Sequence, residues 1–157
     1  MIHDLLLTAH VIGACVLLGT GAGIAFFMVV ANRTGDPALV AHTAGIVVLA
    51  DTVFTATAVV AQPVTGILLA RSAGWPLLEG WVLAALVLYI VTGLFWLPVV
   101  WIQLRLKRLA EHARNAGLPL PNQYHRLYGI WFMCGIPAFA AVLAIVWLMV
   151  RKPALPF

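Results

Sequence analysis

Apolar residues fill four long runs, roughly 5–31, 45–70, 80–103 and 127–150, and short polar stretches separate them. Each run is near or above the ~20 residues that an α-helix needs to cross ~30 Å of hydrocarbon. The pattern predicts an all-α membrane protein, an antiparallel four-transmembrane-helix bundle with short loops, organised as a single domain over 1–157. The first run is too long for the apolar region of a signal peptide, and His3-Asp4 precede it in place of a basic flank, so it is expected to be a mature helix.

The interruptions carry stop and start signals. Asn32-Arg33-Thr34-Gly35-Asp36-Pro37 is a turn cluster. Asp36 is placed to cap a short helix over Ala38–His42, with Pro37 in its first turn, leading into span two. The brevity of the stretch from Arg71 to Gly80 predicts that spans two and three are neighbours. Span three is expected to continue beyond the bilayer as a basic helix to Asn115, until Gly117, Pro119 and Pro121 break it. Tyr124-His125-Arg126 opens span four, and Arg151-Lys152-Pro153 stops it. Trp75 and Trp81 mark one interface, Tyr124 and Tyr128 the other.

Composition confirms the solvent. Charged residues make up 9% of the chain and hydrophobic residues 64%, against about 25% charged in soluble domains. The formal charge of +4 does not point to nucleic acid, because the basic residues sit at span ends. Arg33, Arg105, Lys107, Arg108, Arg114 and Arg126 fall on one side, and Arg71, Arg151 and Lys152 on the other. The excess predicts that the first side is cytoplasmic, with both termini extracytoplasmic in a bacterial inner membrane. Cys15 and Cys134 lie inside spans in no metal-binding pattern; they read as small packing residues, with a disulfide between them left open.

Ionisable and polar groups inside spans are costly, which makes each a functional candidate. His10 shares a helical face with Leu17 and Gly21, flanked by Gly13 and Ala14. A histidine followed by small residues suits a haem b, with the imidazole on the iron and glycines letting the ring lie against the backbone. The alternative is an interfacial histidine hydrogen-bonded to a neighbour, with Gly19 and Gly23 serving close packing. In span two, Asp51, Thr55, Gln62 and Gly66 fall within about 60° of arc on an ideal helix, bordered by Thr65. Asp51 suits a proton carrier or a quinone hydrogen-bond partner; otherwise it pairs with Arg126 or His125 as structural glue. Pro63 should free the carbonyl near Val59. In span three, Tyr89, Thr92, Trp96 and Gln103 share a face, and Pro98 adds a kink; span four carries Trp131, Cys134 and Pro137. His42, His125 and Asp51 are candidates for a second haem or metal. His3 is placed to cover a cofactor edge or to fray, and His112 to be solvated.

His10, Pro137 and the Lys152-Pro153 ending resemble the small four-span HemJ-like protoporphyrinogen oxidases, and CopD-type membrane domains more distantly. That resemblance implies haem b on a first-span histidine, here His10. The chain departs from the HemJ-like pattern where Phe26-Phe27-Met28-Val29-Val30 lacks a basic residue, and where Cys134-Gly135-Ile136 stands in place of an Asn-Glu pair. Asp51-Thr52-Val53-Phe54-Thr55, Gln62-Pro63-Val64-Thr65-Gly66, Trp96-Leu97-Pro98-Val99-Val100 and Leu148-Met149-Val150 look like a bacterial family of membrane proteins of unknown function.

Three functional readings follow. The first is a redox protein and possible oxidoreductase. It would hold haem b on His10 over Gly13 and Gly21, with Gln62, Tyr89 and Trp96 lining the pocket and Asp51 handling protons. Electrons would pass to or from a quinol or porphyrinogen. The second is a non-enzymatic subunit or scaffold in a homo-oligomer or with a membrane partner protein. The third is a small-solute or metal transporter.

Overall fold

The computed structural model describes residues 1–155; the last two residues of the expected single domain lie outside them. The elements are α1 (Ile2–Thr34), α2 (Pro37–Ala50), a π-helical segment (Asp51–Thr55), α3 (Ala56–Ser72), α4 (Gly80–Ala116) and α5 (Asn122–Arg151). The second span is one continuous rod of 36 residues made of α2, the π segment and α3; the other three have 33, 37 and 30 residues. At 1.5 Å per residue the rods run about 45–55 Å, so their ends project beyond ~30 Å of hydrocarbon. The fold is the expected all-α membrane bundle.

Local chemistry sets the helix ends. The Asp36 carboxylate accepts from Ala38 N–H at 2.8 Å, and Pro37, whose missing N–H costs nothing in the first turn, begins α2. The short helix expected over Ala38–His42 is not separate, since these residues are the first turns of α2. Gly35 and Gly117 end α1 and α4 at φ 67° and 65°, where a Cβ would be strained.

The rods pack around a square: α1 meets α2, α3 and α5, and α4 meets α2 and α5. The end that carries the basic residues (the basic end) holds the main core, with Met28, Val40, Leu106 and Tyr124 fully enclosed. Ala31, Ala41, Ala44, Ala110 and Ala113 are buried there and let the backbones approach closely. Towards the end that carries the termini (the terminal end), α3 stays on α1 and does not follow α4. Spans two and three are therefore closely packed along α2, and beyond it they meet through the Asp51–Trp96 and Tyr89–Val59 hydrogen bonds. Two irregularities in the second rod, the π segment and Pro63, accompany this divergence. There α4 and α5 form their own cluster of Trp81, Val82, Ala85 and Leu148. Trp75 and Trp81 stack edge-on at 5.4 Å, and Lys152 Nζ lies 5.9 and 5.8 Å from their ring centres. This clamp joins the α3–α4 loop to the end of α5. Phe26, Ile90, Leu94 and Trp147 face outward, as the surface of a protein dissolved in lipid requires.

Candidate functional site

The polar residues of the spans form two clusters at different depths. The first lies between α1 and α3, nearer the terminal end. His10 and Gln62 enter notches that the opposite helix leaves at glycine. An added Cβ on Gly66 would stand 3.0 Å from His10 Cε1, and one on Gly13 would stand 2.7 Å from Gln62 Nε2. Gln62 Nε2 donates to the His10 carbonyl at 2.9 Å. Thr65 Oγ1 lies 2.8 Å from the Ala61 carbonyl and 3.0 Å from His10 Nδ1. The hydroxyl has one proton, which goes back to the carbonyl. Nδ1–H therefore donates to Thr65, and in the neutral imidazole Nε2 keeps its lone pair. Nε2 makes no hydrogen bond among the described residues. His3 Nδ1 meets Ser72 Oγ at 2.9 Å, tying the start of α1 to the end of α3.

Pro63 lacks an N–H, so the Val59 carbonyl one turn back has no helical partner. The Tyr89 hydroxyl donates to that carbonyl from α4. Tyr89 thus answers the proline across the opening between α3 and α4.

The second cluster centres on Asp51, 5% exposed, at the start of the π segment. Trp96 Nε1 donates to its Oδ1 at 3.3 Å. With the amide turned to satisfy both partners, Gln103 donates to Asp51 Oδ2 at 3.2 Å and accepts from Trp131 Nε1 at 3.3 Å. Gln103 is 3% and Trp131 4% exposed. The chain Asp51–Gln103–Trp131 links the second rod, α4 and α5. Both carboxyl oxygens meet N–H donors, a pattern an asparagine cannot match because one of its two polar atoms is itself a donor. Among the described residues the ion pairs are the N-terminus with Asp4 and Lys107 with Glu111, so Asp51 has no cation beside it. The expected pairing with Arg126 or His125 does not form within this chain.

Several expected groupings come apart. Asp51 and Thr55 are buried, with Asp51 bonded to Trp96 and Gln103 of α4, whereas Gln62, Thr65 and Gly66 meet His10 of α1. Gly13 receives Gln62, while nothing lies within 4 Å of a Cβ on Gly21. Trp96 belongs with Asp51 and Tyr89 with Val59, so neither joins His10. His42, His125 and Asp51 form no metal-binding group among the described residues. Cys15 and Cys134 are both free thiols. Cys15 is not a packing residue: it faces outward and lines an open apolar groove of about 450 Å³ with Val11, Ile12, Val16, Gly19, Thr20 and Phe54. Gln103 as the bridge, Thr65 as the imidazole's partner and Gly66 as its notch are the parts that face-by-face reading did not assign.

Four apolar rods with a buried polar network define a polytopic integral membrane protein. Residues 4–153 match the family described as "Predicted integral membrane protein (DUF2269)", and the chain belongs to it. No curated protein and no solved structure matches the chain.

Proposed function

We propose that this protein exchanges protons within the membrane through the Asp51 carboxyl. The observation that carries the reading is a carboxyl enclosed by three helical rods, held by two neutral N–H donors and no cation. A carboxyl at depth costs about 2.5–3.5 kcal/mol on insertion scales. Neutral side chains can join membrane helices by hydrogen bonds without that cost, so helix joining alone does not call for a carboxyl. The carboxyl also sits at a π-helical turn, a distortion frequent at functional sites. By the positive-inside rule the basic end, with Arg33, Arg105, Lys107, Arg108, Arg114 and Arg126, faces the cytoplasm of a bacterial inner membrane. Asp51 then lies in the cytoplasmic half and His10 in the outer half.

Dicyclohexylcarbodiimide tests this directly, because it attacks carboxyls through their protonated form in apolar surroundings. In lipid nanodiscs it should add to Asp51, located by tandem mass spectrometry, and not to the exposed Asp4 and Asp36. The adduct should diminish as pH rises, because the reactive acid form is lost on ionisation. No adduct at any pH, or a yield indifferent to pH, would refute the proposal.

The free Nε2 of His10 favours a second, compatible reading as a redox protein. Thr65 holds Nδ1–H as outer partners of ligating histidines do, so Nε2 is available to a haem iron or to the hydroxyl of a quinol. The Gly13 notch, expected beneath a haem ring, is filled by Gln62. The residues therefore suit a ligand meeting Nε2 and do not suit a macrocycle lying on Gly13. A bound haem would supply one-electron chemistry; what the chain contributes is a fixed imidazole with its tautomer set. Oxidised and reduced visible spectra of wild type and His10→Ala decide between the ligands. A Soret band lost in the variant supports haem, and a colourless wild type that does not take up haemin removes it.

A further inference from the structure

We infer that Thr55 is the hydroxyl switch of the buried carboxyl. It accepts a hydrogen bond from protonated Asp51 and donates one to ionised Asp51, so that one side chain serves both states. The inference rests on Asp51 exchanging a proton, and names the residue that makes the exchange possible without moving a helix.

Thr55 is 7% exposed, and its hydroxyl is enclosed without a hydrogen-bond partner. That is unusual both for a buried polar atom and for a threonine in this bundle. Thr52, Thr57, Thr65 and Thr92 each donate to the carbonyl one turn back, at 2.8, 2.6, 2.8 and 2.8 Å. For Thr55 that carbonyl belongs to Asp51. In the wider π turn it takes the N–H of Ala56, and the Thr55 hydroxyl makes no bond to it. The hydroxyl is left beside the Asp51 side chain.

The other groups at the carboxyl cannot take this part. The Trp96 indole has an N–H and no acceptor, and the Gln103 amide turns its NH2 to the carboxyl while its oxygen holds Trp131 Nε1. Trp131 is engaged by the Gln103 oxygen. Among the described residues no other ionisable side chain bonds the carboxyl: Tyr128 stacks on Trp131 at 5.8 Å, and Lys107, a turn beyond Gln103, pairs with Glu111. Between His10 and Arg33, α1 carries only Cys15, which lines the outer groove. Between Gly80 and Gln103, α4 carries only Tyr89, bound to Val59. Between Tyr128 and Arg151, α5 carries only Cys134. The ionised carboxylate is thus served by two N–H donors and the Thr55 O–H. The acid form places an O–H in hydrocarbon, and the Thr55 oxygen is the acceptor at hand. A hydroxyl changes from donor to acceptor by turning about Cβ–Oγ.

The test compares carbodiimide labelling of Asp51 in wild type, Thr55→Val and Thr55→Ser in nanodiscs across pH. Valine keeps the shape and removes both bonds; the ionised form loses the stronger, charge-assisted one, so the acid form persists to higher pH and labelling there should rise about five-fold. Serine should restore the wild-type rate and pH profile. Valine labelling at the wild-type rate across pH, or serine departing from wild type as far as valine does, overturns the inference. If the valine variant does not fold, the infrared spectrum of wild type carries the test: the acid C=O band of Asp51 should lie where hydrogen-bonded acids absorb, and a band at the position of an unbonded acid overturns it. Absence of labelling in wild type is a different result, since it removes proton exchange at Asp51 itself.

Discussion

Replacing Gln103 by leucine should destabilise the protein by about 2–3 kcal/mol, far more than a change at a lipid-facing position. The substitution strands two enclosed groups at once, Asp51 Oδ2 and Trp131 Nε1, which the amide now satisfies at 3.2 and 3.3 Å. A buried polar group left without a partner costs ~1–3 kcal/mol. Hydrogen bonds between membrane helices average nearer ~0.6 kcal/mol, because the unfolded chain in lipid also finds partners; this keeps the figure towards the lower end of the sum. The cost has a signature. Once Gln103 is leucine, changing Trp131 to phenylalanine removes an N–H that is already stranded, so the double variant should lose less than the two single losses added together. A coupling of about 1 kcal/mol is expected for residues in one network. Reversible unfolding in mixed micelles gives all four stabilities. A Gln103→Leu loss within about 0.5 kcal/mol of zero, the range of ordinary surface changes, would mean that Gln103 does not bridge these rods.

Much of this architecture is legible in single residues. Asp36 and Pro37 announce the start of the second rod because a carboxylate cap and a missing N–H are needed there and nowhere else. Pro63 identifies the freed Val59 carbonyl by subtraction, and Tyr89 on the neighbouring span supplies its donor. The division of the span-two stripe is not legible. Projection on an ideal helix puts Asp51, Thr55, Gln62 and Gly66 on one face. The π segment widens the turn at Asp51–Thr55, so everything after it is rotated relative to everything before it. No residue type in Asp51-Thr52-Val53-Phe54-Thr55 forces that extra residue into the turn; packing against two sets of neighbours does. The glycines carry the same lesson. Gly13 invites a flat ligand when its helix is read alone, and the side chain that occupies it lies 49 positions along the chain, at Gln62. A notch is visible in sequence, but what fills it is a property of the pair of helices.

The paired notches of α1 and α3 give the second large effect. Gly66→Val should cost about 2 kcal/mol, whereas Gly13→Ala should cost roughly 0.6 kcal/mol, although the approach is shorter at Gly13. The reason lies in what stands opposite. At Gly13 the nearest atom, 2.7 Å from an added Cβ, is the end of the Gln62 side chain. The amide can swing away, at the loss of its 2.9 Å bond to the His10 carbonyl. At Gly66 an added Cβ meets the rigid His10 ring, 3.0 Å from Cε1 and 3.6 Å from Nδ1, and valine adds two further methyl groups. The ring has few torsions with which to retreat and is anchored at Nδ1 by Thr65. Either the imidazole gives up that bond or α1 and α3 separate, and overpacking of this kind costs ~1–3 kcal/mol. Nitrogen NMR of the imidazole reads the outcome independently of stability. Wild type should show one tautomer, protonated at Nδ1, and Gly66→Val should mix the tautomers as the Thr65 bond is lost. Gly13→Ala should leave the tautomer unchanged, because the Gln62 amide that must move bonds the His10 carbonyl, while Thr65 holds the ring. If Gly66→Val keeps both wild-type stability and a single tautomer, the ring does not sit in the α3 notch, and the availability of Nε2 would have to be argued from a different packing of α1.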